Sequence, residues 1–244
     1  AARVLMSAPA AVVTDAELGL PISLIESPDR TVCEVAVAGL GTGGAPAAIA
    51  AARQLGGPPG GVVALDSLYF PGGIGTGGGI NVYYHGVPGG LQQEIDGRVR
   101  EVMDAFGSLF EGRGAEFHPV VKAIVLDAML HEAGVAVRYG ETVFGVRQSG
   151  GRVTSLLVAG PDGPREVTAS CYVDATADGD VCAHAGAAFR FGRTGDGLPH
   201  AHSQSAGQLV RRENHAWRIR VVNFDAGWCD PASIEDLTRA RLDG

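Results

Sequence analysis

Apolar residues along this chain gather in short runs divided by glycine- and proline-rich breaks, the pattern of buried strands alternating with helices. The run Glu34-Val35-Ala36-Val37-Ala38 predicts a short buried strand. It passes directly into Gly39-Leu40-Gly41-Thr42-Gly43-Gly44 and then into an alanine-rich helix, Ala45 to Arg53. Pro46 falls in the first turn of that helix, where its missing N–H costs little. The helix is expected to stop near Gly56-Gly57-Pro58-Pro59, and a second strand, Val62 to Leu65, to end at Asp66. Together these make one βαβ unit of about 30 residues.

Further along, residues 92 to 106 read as a polar helix. Pro119 to Ala133 reads as a second helix with Val121, Ile124, Val125 and Ala128 on one face. Val135 to Arg138 is a short strand. Thr142 to Arg147, Val153 to Val158 and Arg165 to Thr168 form an antiparallel meander, with turns at Ser149-Gly150-Gly151 and Gly160-Pro161-Asp162-Gly163. Cys171-Tyr172-Val173 is expected as a separate returning strand, ending in Asp174-Ala175-Thr176-Ala177-Asp178-Gly179-Asp180, with a short helix over 181–186. Beyond Phe189 the chain turns polar. Val221 to Phe224 is a strand candidate there, and Ser233 to Leu242 a final helix. Residues 1–32, with runs such as Ala11-Val12-Val13 and Ile22 to Ile25, read as an extension carrying an extra strand or hairpin.

Composition narrows the classes. Hydrophobic residues are 45% and charged residues 19% of the chain, enough apolar content for a packed core. Glycine, at 37 of 244 residues, is about twice its usual ~7% share, and it clusters where backbone must approach something closely. A net charge of −8 argues against a nucleic-acid face. Cys33, Cys171, Cys182 and Cys229 form no Cys-x-x-Cys pair, so zinc, a disulfide framework and an iron–sulfur cluster within the chain are disfavoured, and most of them read as small buried hydrophobes. No apolar run reaches the ~18 residues of a membrane helix, and the N-terminus lacks signal-peptide features. The default location is the cytoplasm, although a leader already removed would leave no trace.

The most informative segment is Gly39-x-Gly41-x-x-Gly44, because of its context. It leaves a strand, opens a helix and precedes an acid, Asp66, by about 20 residues. Gly39 permits the tight turn, Gly41 lets a diphosphate approach the backbone, and Gly44 lets helix and strand pack closely. The helix N-terminus offers free N–H groups and a partial positive charge, and Asp66 can accept bonds from ribose hydroxyls. The ligand so predicted is FAD or NAD, with NADP disfavoured by the acid.

The continuation Ala64-Leu65-Asp66-Ser67-Leu68-Tyr69-Phe70-Pro71-Gly72-Gly73, taken with Val173-Asp174-Ala175-Thr176-Ala177-Asp178-Gly179-Asp180, resembles the FAD-dependent oxidoreductases of the glutathione-reductase-like flavoprotein superfamily, in the branch with relatives of heterodisulfide reductase A. The resemblance runs over residues 34 to 190. It implies an α/β fold: a Rossmann-like FAD-binding domain (33–190) with a parallel central sheet and an antiparallel crossover meander. Residues 191–244 would begin a substrate-side domain. It implies FAD contacts at Gly39, Gly41, Gly43, Gly44, Asp66 and Ser67 around the diphosphate and ribose. Gly72, Gly73, Ile74, Gly75 and Thr76 would run toward the isoalloxazine, Val143 would meet adenine through its backbone, and Ala175 and Thr176 would lie near the AMP half. This chain has Asp66 where the family usually has Glu, and Ala177 where it has Gly. Family members also continue further, with a late segment that touches the flavin, and nothing after residue 190 resembles that segment. The expectation is a fragment or subunit whose site a second protein chain completes.

The implied activity is hydride transfer between a small organic substrate and the flavin. Its rivals are a non-catalytic electron-relay subunit and an NAD-dependent dehydrogenase. His85, following Asn81, Tyr83 and Tyr84, is the candidate catalytic residue, as acceptor of a substrate proton. His118 and His184 read as structural, and His200 with His202 is too small a set for a metal. Asp178 and Asp180 read as a turn rather than an acid pair, and Arg211-Arg212 as a solvated face.

Overall fold

The computed structural model describes residues 29–82, 89–106, 117–190, 203–211, 217–225 and 233–243. These divide into two units at Phe189.

The larger unit is built on a six-stranded sheet. Its strands are β1 (Asp29–Ala38), β2 (Val62–Asp66), β3 (Ala136–Tyr139), β4 (Thr142–Ser149), β5 (Arg152–Gly160) and β6 (Gly163–Asp174), in the order β3-β2-β1-β6-β5-β4. β3, β2, β1 and β6 are parallel, and β6, β5 and β4 are antiparallel. The mixed sheet is the parallel core and crossover meander that the sequence predicts. Helices α1 (Gly44–Gln54), α2 (Gly90–Ala105), α3 (Pro119–Glu132) and the short α4 (Asp180–His184) complete the unit.

Successive strand residues point to opposite faces, and the two faces bury different things. Val37, Val62 and Ala64 join Ile49 of α1, Ile95 of α2, and Leu126 and Met129 of α3 in one core. Ala36, Ala38, Val63 and Leu65 join Val146, Leu156, Val158 and Val167 of the meander in a second. The unit is thus three layers: helices, parallel strands and meander. Ala45, Ala48 and Ala52 are buried along α1, so small side chains let this helix approach the sheet closely.

Three elements differ from the sequence reading. β1 begins at Asp29, five residues early, and its first half pairs only with β6. Those added partners keep Ala169 in the ladder opposite Cys33, so the two strands expected at Arg165–Thr168 and Cys171–Val173 are one continuous β6. In α3 the buried stripe is Val121, Lys122, Val125, Leu126, Met129 and Leu130, while Ile124, expected on the core face, is 58% exposed and Ala128 also faces outward. That helix is apolar on most sides, and packing chose the phase. Of the cysteines expected to be buried, Cys33 is. Cys171, beyond the last β5 partner of β6, and Cys182, in α4, are exposed. Cys229 lies outside the described residues.

The smaller unit contains a hairpin of β7 (Ser203–Arg211) and β8 (Trp217–Asp225), paired from Ser203↔Asp225 to Arg211↔Trp217, and helix α5 (Ile234–Asp243). β7 is polar and small-residue rich, which hid it from a reading of apolar runs. Ser233 Oγ accepts a bond from the Asp236 N–H at 3.1 Å and caps α5. Among the described residues no helix is long and apolar enough to cross a membrane.

Candidate FAD-binding site

The C-terminal ends of β1, β2 and β6 meet at the Gly39–Gly44 turn. Gly39 has φ +90°, and a Cβ there would lie 2.4 Å from the Ala175 carbonyl oxygen. The Ala175 N–H in turn bonds to the Ala38 carbonyl at 2.8 Å, so β6 ends directly under the turn. A Cβ on Gly44 would lie 1.8 Å from the Gly39 carbonyl oxygen. Gly41 and Gly43 are the opposite case: a Cβ on either would meet nothing within 4 Å. Two glycines are demanded by protein backbone, and two leave open space at the N-terminus of α1, where the Ala45 N–H bonds to the Gly41 carbonyl at 3.3 Å and the helix dipole adds partial positive charge. This arrangement fits a diphosphate.

Leu40, fully buried between those glycines, anchors the turn. Its N–H donates to Asp66 Oδ2 at 2.6 Å, and its carbonyl accepts from the Gly72 N–H at 2.7 Å. Asp66 Oδ1 also accepts from the Leu68 N–H at 2.7 Å. Asp66, read from the sequence as a ribose acceptor alone, therefore ties β2 to the glycine turn and to its own following loop. Each carboxylate oxygen keeps acceptor capacity for a ribose hydroxyl. Asp66→Asn, which turns one acceptor into a donor, is expected to cost about 1.5–3 kcal/mol of stability. Denaturant midpoints at constant slope would measure it, and an unchanged midpoint would count against this tie.

The Gly72–Thr76 segment is drawn to the same place. A Cβ on Gly73 would lie 2.9 Å from the Gly41 α-carbon. The buried Thr76 hydroxyl donates to the Pro71 carbonyl at 2.8 Å and lies 3.2 Å from that of Gly73, shaping the turn Gly73–Gly75. Ile74 is 65% exposed on it, and Ser67 is exposed. Val143 lies two residues after Glu141, whose N–H bonds to the Asp66 carbonyl at 3.0 Å. The β4–β5 register slips between Val143 and Gly145, a bulge that loosens the ladder where adenine contact is expected. His85, Tyr83, Tyr84, His200, His202 and Arg212 lie outside the described residues. His118 is the N-cap residue of α3 and His184 the last residue of α4. Among the described residues no group of three or more His, Cys, Asp or Glu could hold a metal ion.

At the end of β6, Asp174 organises the turn that carries Ala175 and Thr176. Its Oδ1 accepts from the Thr176 hydroxyl at 2.7 Å and the Thr176 N–H at 3.1 Å, and its Oδ2 accepts from the Cys182 N–H at 2.8 Å at the start of α4. The exposed Asp180 donates its N–H to the Thr176 hydroxyl at 2.8 Å, which places its backbone in this turn. Burial opposes the Asp174 charge, but the bonds from Cys182 and Thr176 outweigh it and hold the carboxyl below its ordinary pKa of 3.8. A carboxyl lowered by folding stabilises the fold above its ordinary pKa, and that contribution disappears as pH falls through the depressed value. Asp174→Asn is therefore expected to cost about 1–2 kcal/mol at neutral pH, with the gap to wild type closing in acid. Urea melts at a series of pH values would show it. A gap independent of pH would refute the assignment.

The geometry can be set beside known proteins. The family model "FAD dependent oxidoreductase" matches residues 34–236. No curated protein matches the sequence. Among solved structures, THI4 of Thermovibrio ammonificans is 21% identical over 71% of this chain and 68% of its own, with a TM-score of 0.44. The anhydrotetracycline hydroxylase OxyS of Streptomyces rimosus is 20% identical over 87% of this chain and 48% of its own, with a TM-score of 0.49. The myxobacterial chondrochloren halogenase CndH is 20% identical, over 62% of this chain and 38% of its own, with a TM-score of 0.40. This chain spans about half or less of the second and third. Since the family model covers most of the chain, the chain belongs to the FAD dependent oxidoreductase family, FAD-dependent enzymes of which FAD is the cofactor.

Proposed function

We propose that this chain forms the FAD-binding part of an oxidoreductase in which a small organic substrate and the flavin exchange a hydride, and that a second protein chain completes the site. The observation that carries the reading is the contrast among the glycines: backbone occupies the space beside Gly39 and Gly44, while the space beside Gly41 is open.

In this reading Gly41, Gly43 and Gly44 hold the diphosphate with backbone amides, Gly39 shapes the turn with its own N–H bonded to the Leu65 carbonyl at 2.8 Å, and Asp66 with Ser67 holds the adenosine ribose. Val143, Ala175 and Thr176 enclose the AMP half. Gly72, Gly73, Ile74, Gly75 and Thr76 form the floor that leads to the ring. Bound FAD would supply the hydride acceptor or donor. The protein's work is to fix that ring, exclude water and hold the substrate proton, for which His85 is the proposed acceptor. Residues after 190 would begin the substrate side, and the FAD-binding domain would begin with β1 at Asp29, which takes residues 29–32 from the expected N-terminal extension.

The native protein, isolated with whatever chains accompany it, tests the proposal. It is expected to be yellow, to release FAD on denaturation and to be bleached by its substrate. Release of NAD, or of no dinucleotide, would overturn the cofactor assignment. A flavin that exchanges electrons only with a protein partner would indicate a relay instead. A lone 25.0 kDa chain holding stoichiometric FAD would remove the second chain from the proposal.

A further inference from the structure

Lys122 is the only lysine in the chain, and 4% of it is exposed. It sits in the first turn of α3, its N–H bonded to the His118 carbonyl at 3.0 Å, where the helix dipole disfavours a cation. Its neighbours on the buried stripe are Val121, Val125 and Leu126. Burial lowers its pKa, and Asp96 on α2 pulls the other way. As a packing element an apolar side chain of the same length would serve better, because a charge in such surroundings is costly.

The ammonium has a definite position. It stands 4.1 Å from the centroid of the Phe117 ring, a cation–π contact. A Cβ built on Gly75 would lie 3.4 Å from Nζ, 3.6 Å from the Phe117 ring and 3.9 Å from the Ile80 carbonyl oxygen. Lys122, Phe117 and Ile80 thus back one side of the Gly73–Gly75 turn. This is the turn that, at Gly73, touches Gly41, and on which Ile74 is exposed.

We propose that Lys122 is a positioning residue whose ammonium, fixed behind the Gly73–Gly75 turn, favours the reduced state of an FAD bound along that turn. The inference rests on the functional reading above. Two-electron reduction adds negative charge to the ring system, and a fixed cation in a low-dielectric setting stabilises that state more than the oxidised one. Phe117 and the apolar stripe hold the cation in place and keep water from screening it.

The first step is to load the wild-type protein, with any chain that accompanies it, with FAD. A wild type that holds no FAD overturns the functional reading, and this inference with it, before any variant is made. With FAD bound, Lys122→Met is expected to lower the ratio of affinities for reduced and oxidised FAD about tenfold, a shift of about −30 mV for a two-electron couple. Lys122→Arg should restore most of it. An unchanged potential in FAD-loaded Lys122→Met overturns the proposal while leaving FAD binding intact. Should Lys122→Met fail to fold, the wild type itself decides. Isotope labelling of the lysine side chain in this chain alone gives a single resonance, expected to move when the bound FAD is reduced, and a stationary signal overturns the proposal.

Discussion

Gly44→Ala is expected to destabilise the fold by about 3 kcal/mol or more, whereas Gly41→Ala, three residues away, is expected to change stability by less than about 0.5 kcal/mol and to weaken FAD binding instead. The two substitutions add the same methyl group. At Gly44 that methyl falls 1.8 Å from the Gly39 carbonyl oxygen, 2.8 Å from its carbon and 2.9 Å from the Ala175 Cβ. Two of those neighbours are backbone and cannot rotate away, so α1 must lift off the β1–β6 pair. The alanines at 45, 48 and 52 would lose contact with the sheet as it moved. At Gly41 the methyl meets no protein atom within 4 Å and fills only the space assigned to the diphosphate. Loss of one close backbone approach should cost roughly tenfold to a hundredfold in FAD affinity, about 1.4–2.8 kcal/mol. Thermal melts of the apoprotein and flavin titration separate the two effects. A Gly41→Ala protein that unfolds, or one that binds FAD as wild type does, would contradict this division of roles.

Glu141→Leu is expected to cost about 3–5 kcal/mol, the penalty for breaking a buried ion pair from one side. Glu141 and Arg165 are each 5% exposed, and their closest approach is 3.0 Å between Arg165 Nε and Glu141 Oε1. Arg138 lies 3.8 Å from the same carboxylate oxygen, so removing Glu141 leaves two guanidinium groups without that anion. The pair ties the start of β4 to β6, and the Glu141 N–H bonds to the Asp66 carbonyl, so the loss is transmitted toward the glycine turn. The double variant Glu141→Leu with Arg165→Met should recover much of the stability, because it removes both buried charges together. The exposed network of Arg53, Glu94, Arg98 and Glu132 across α1, α2 and α3 supplies the control. Its side chains are a third or more exposed, and Arg98→Ala should cost no more than about 1 kcal/mol. Equal losses for Glu141→Leu and Arg98→Ala would show that burial does not govern this pair.

Much of the site was legible because its requirements are local. A strand, a glycine turn, a helix of small residues and an acid ending the next strand are contiguous features, and each has a steric or electrostatic reason that needs no distant partner. Other parts depended on residues far apart in sequence. Gly39 reads as a turn glycine, yet the atom that forbids a Cβ there belongs to Ala175. Asp66 reads as a ribose acceptor, yet its carboxylate also accepts bonds from the Leu40 and Leu68 amides. Leu40 stands at a variable position of the motif. Its only signal was an apolar side chain in a glycine loop, and it proves to be the anchor. Lys122 gave no periodic signal at all, since a cation on a buried stripe is what hydrophobic patterning leaves out.

Taken alone, the order of residues determined the βαβ unit, the three-stranded meander and the glycine turn between β1 and α1, because short-range backbone preference and alternation of side chains act within a few residues. Tertiary structure decided the phase of α3, the fusion of two short segments into β6, and which atoms stand beside each glycine of the turn. Those outcomes depend on what packs from the other side. In a close-packed interior, the same glycine or the same apolar helix takes its role from neighbours that only the folded chain brings near.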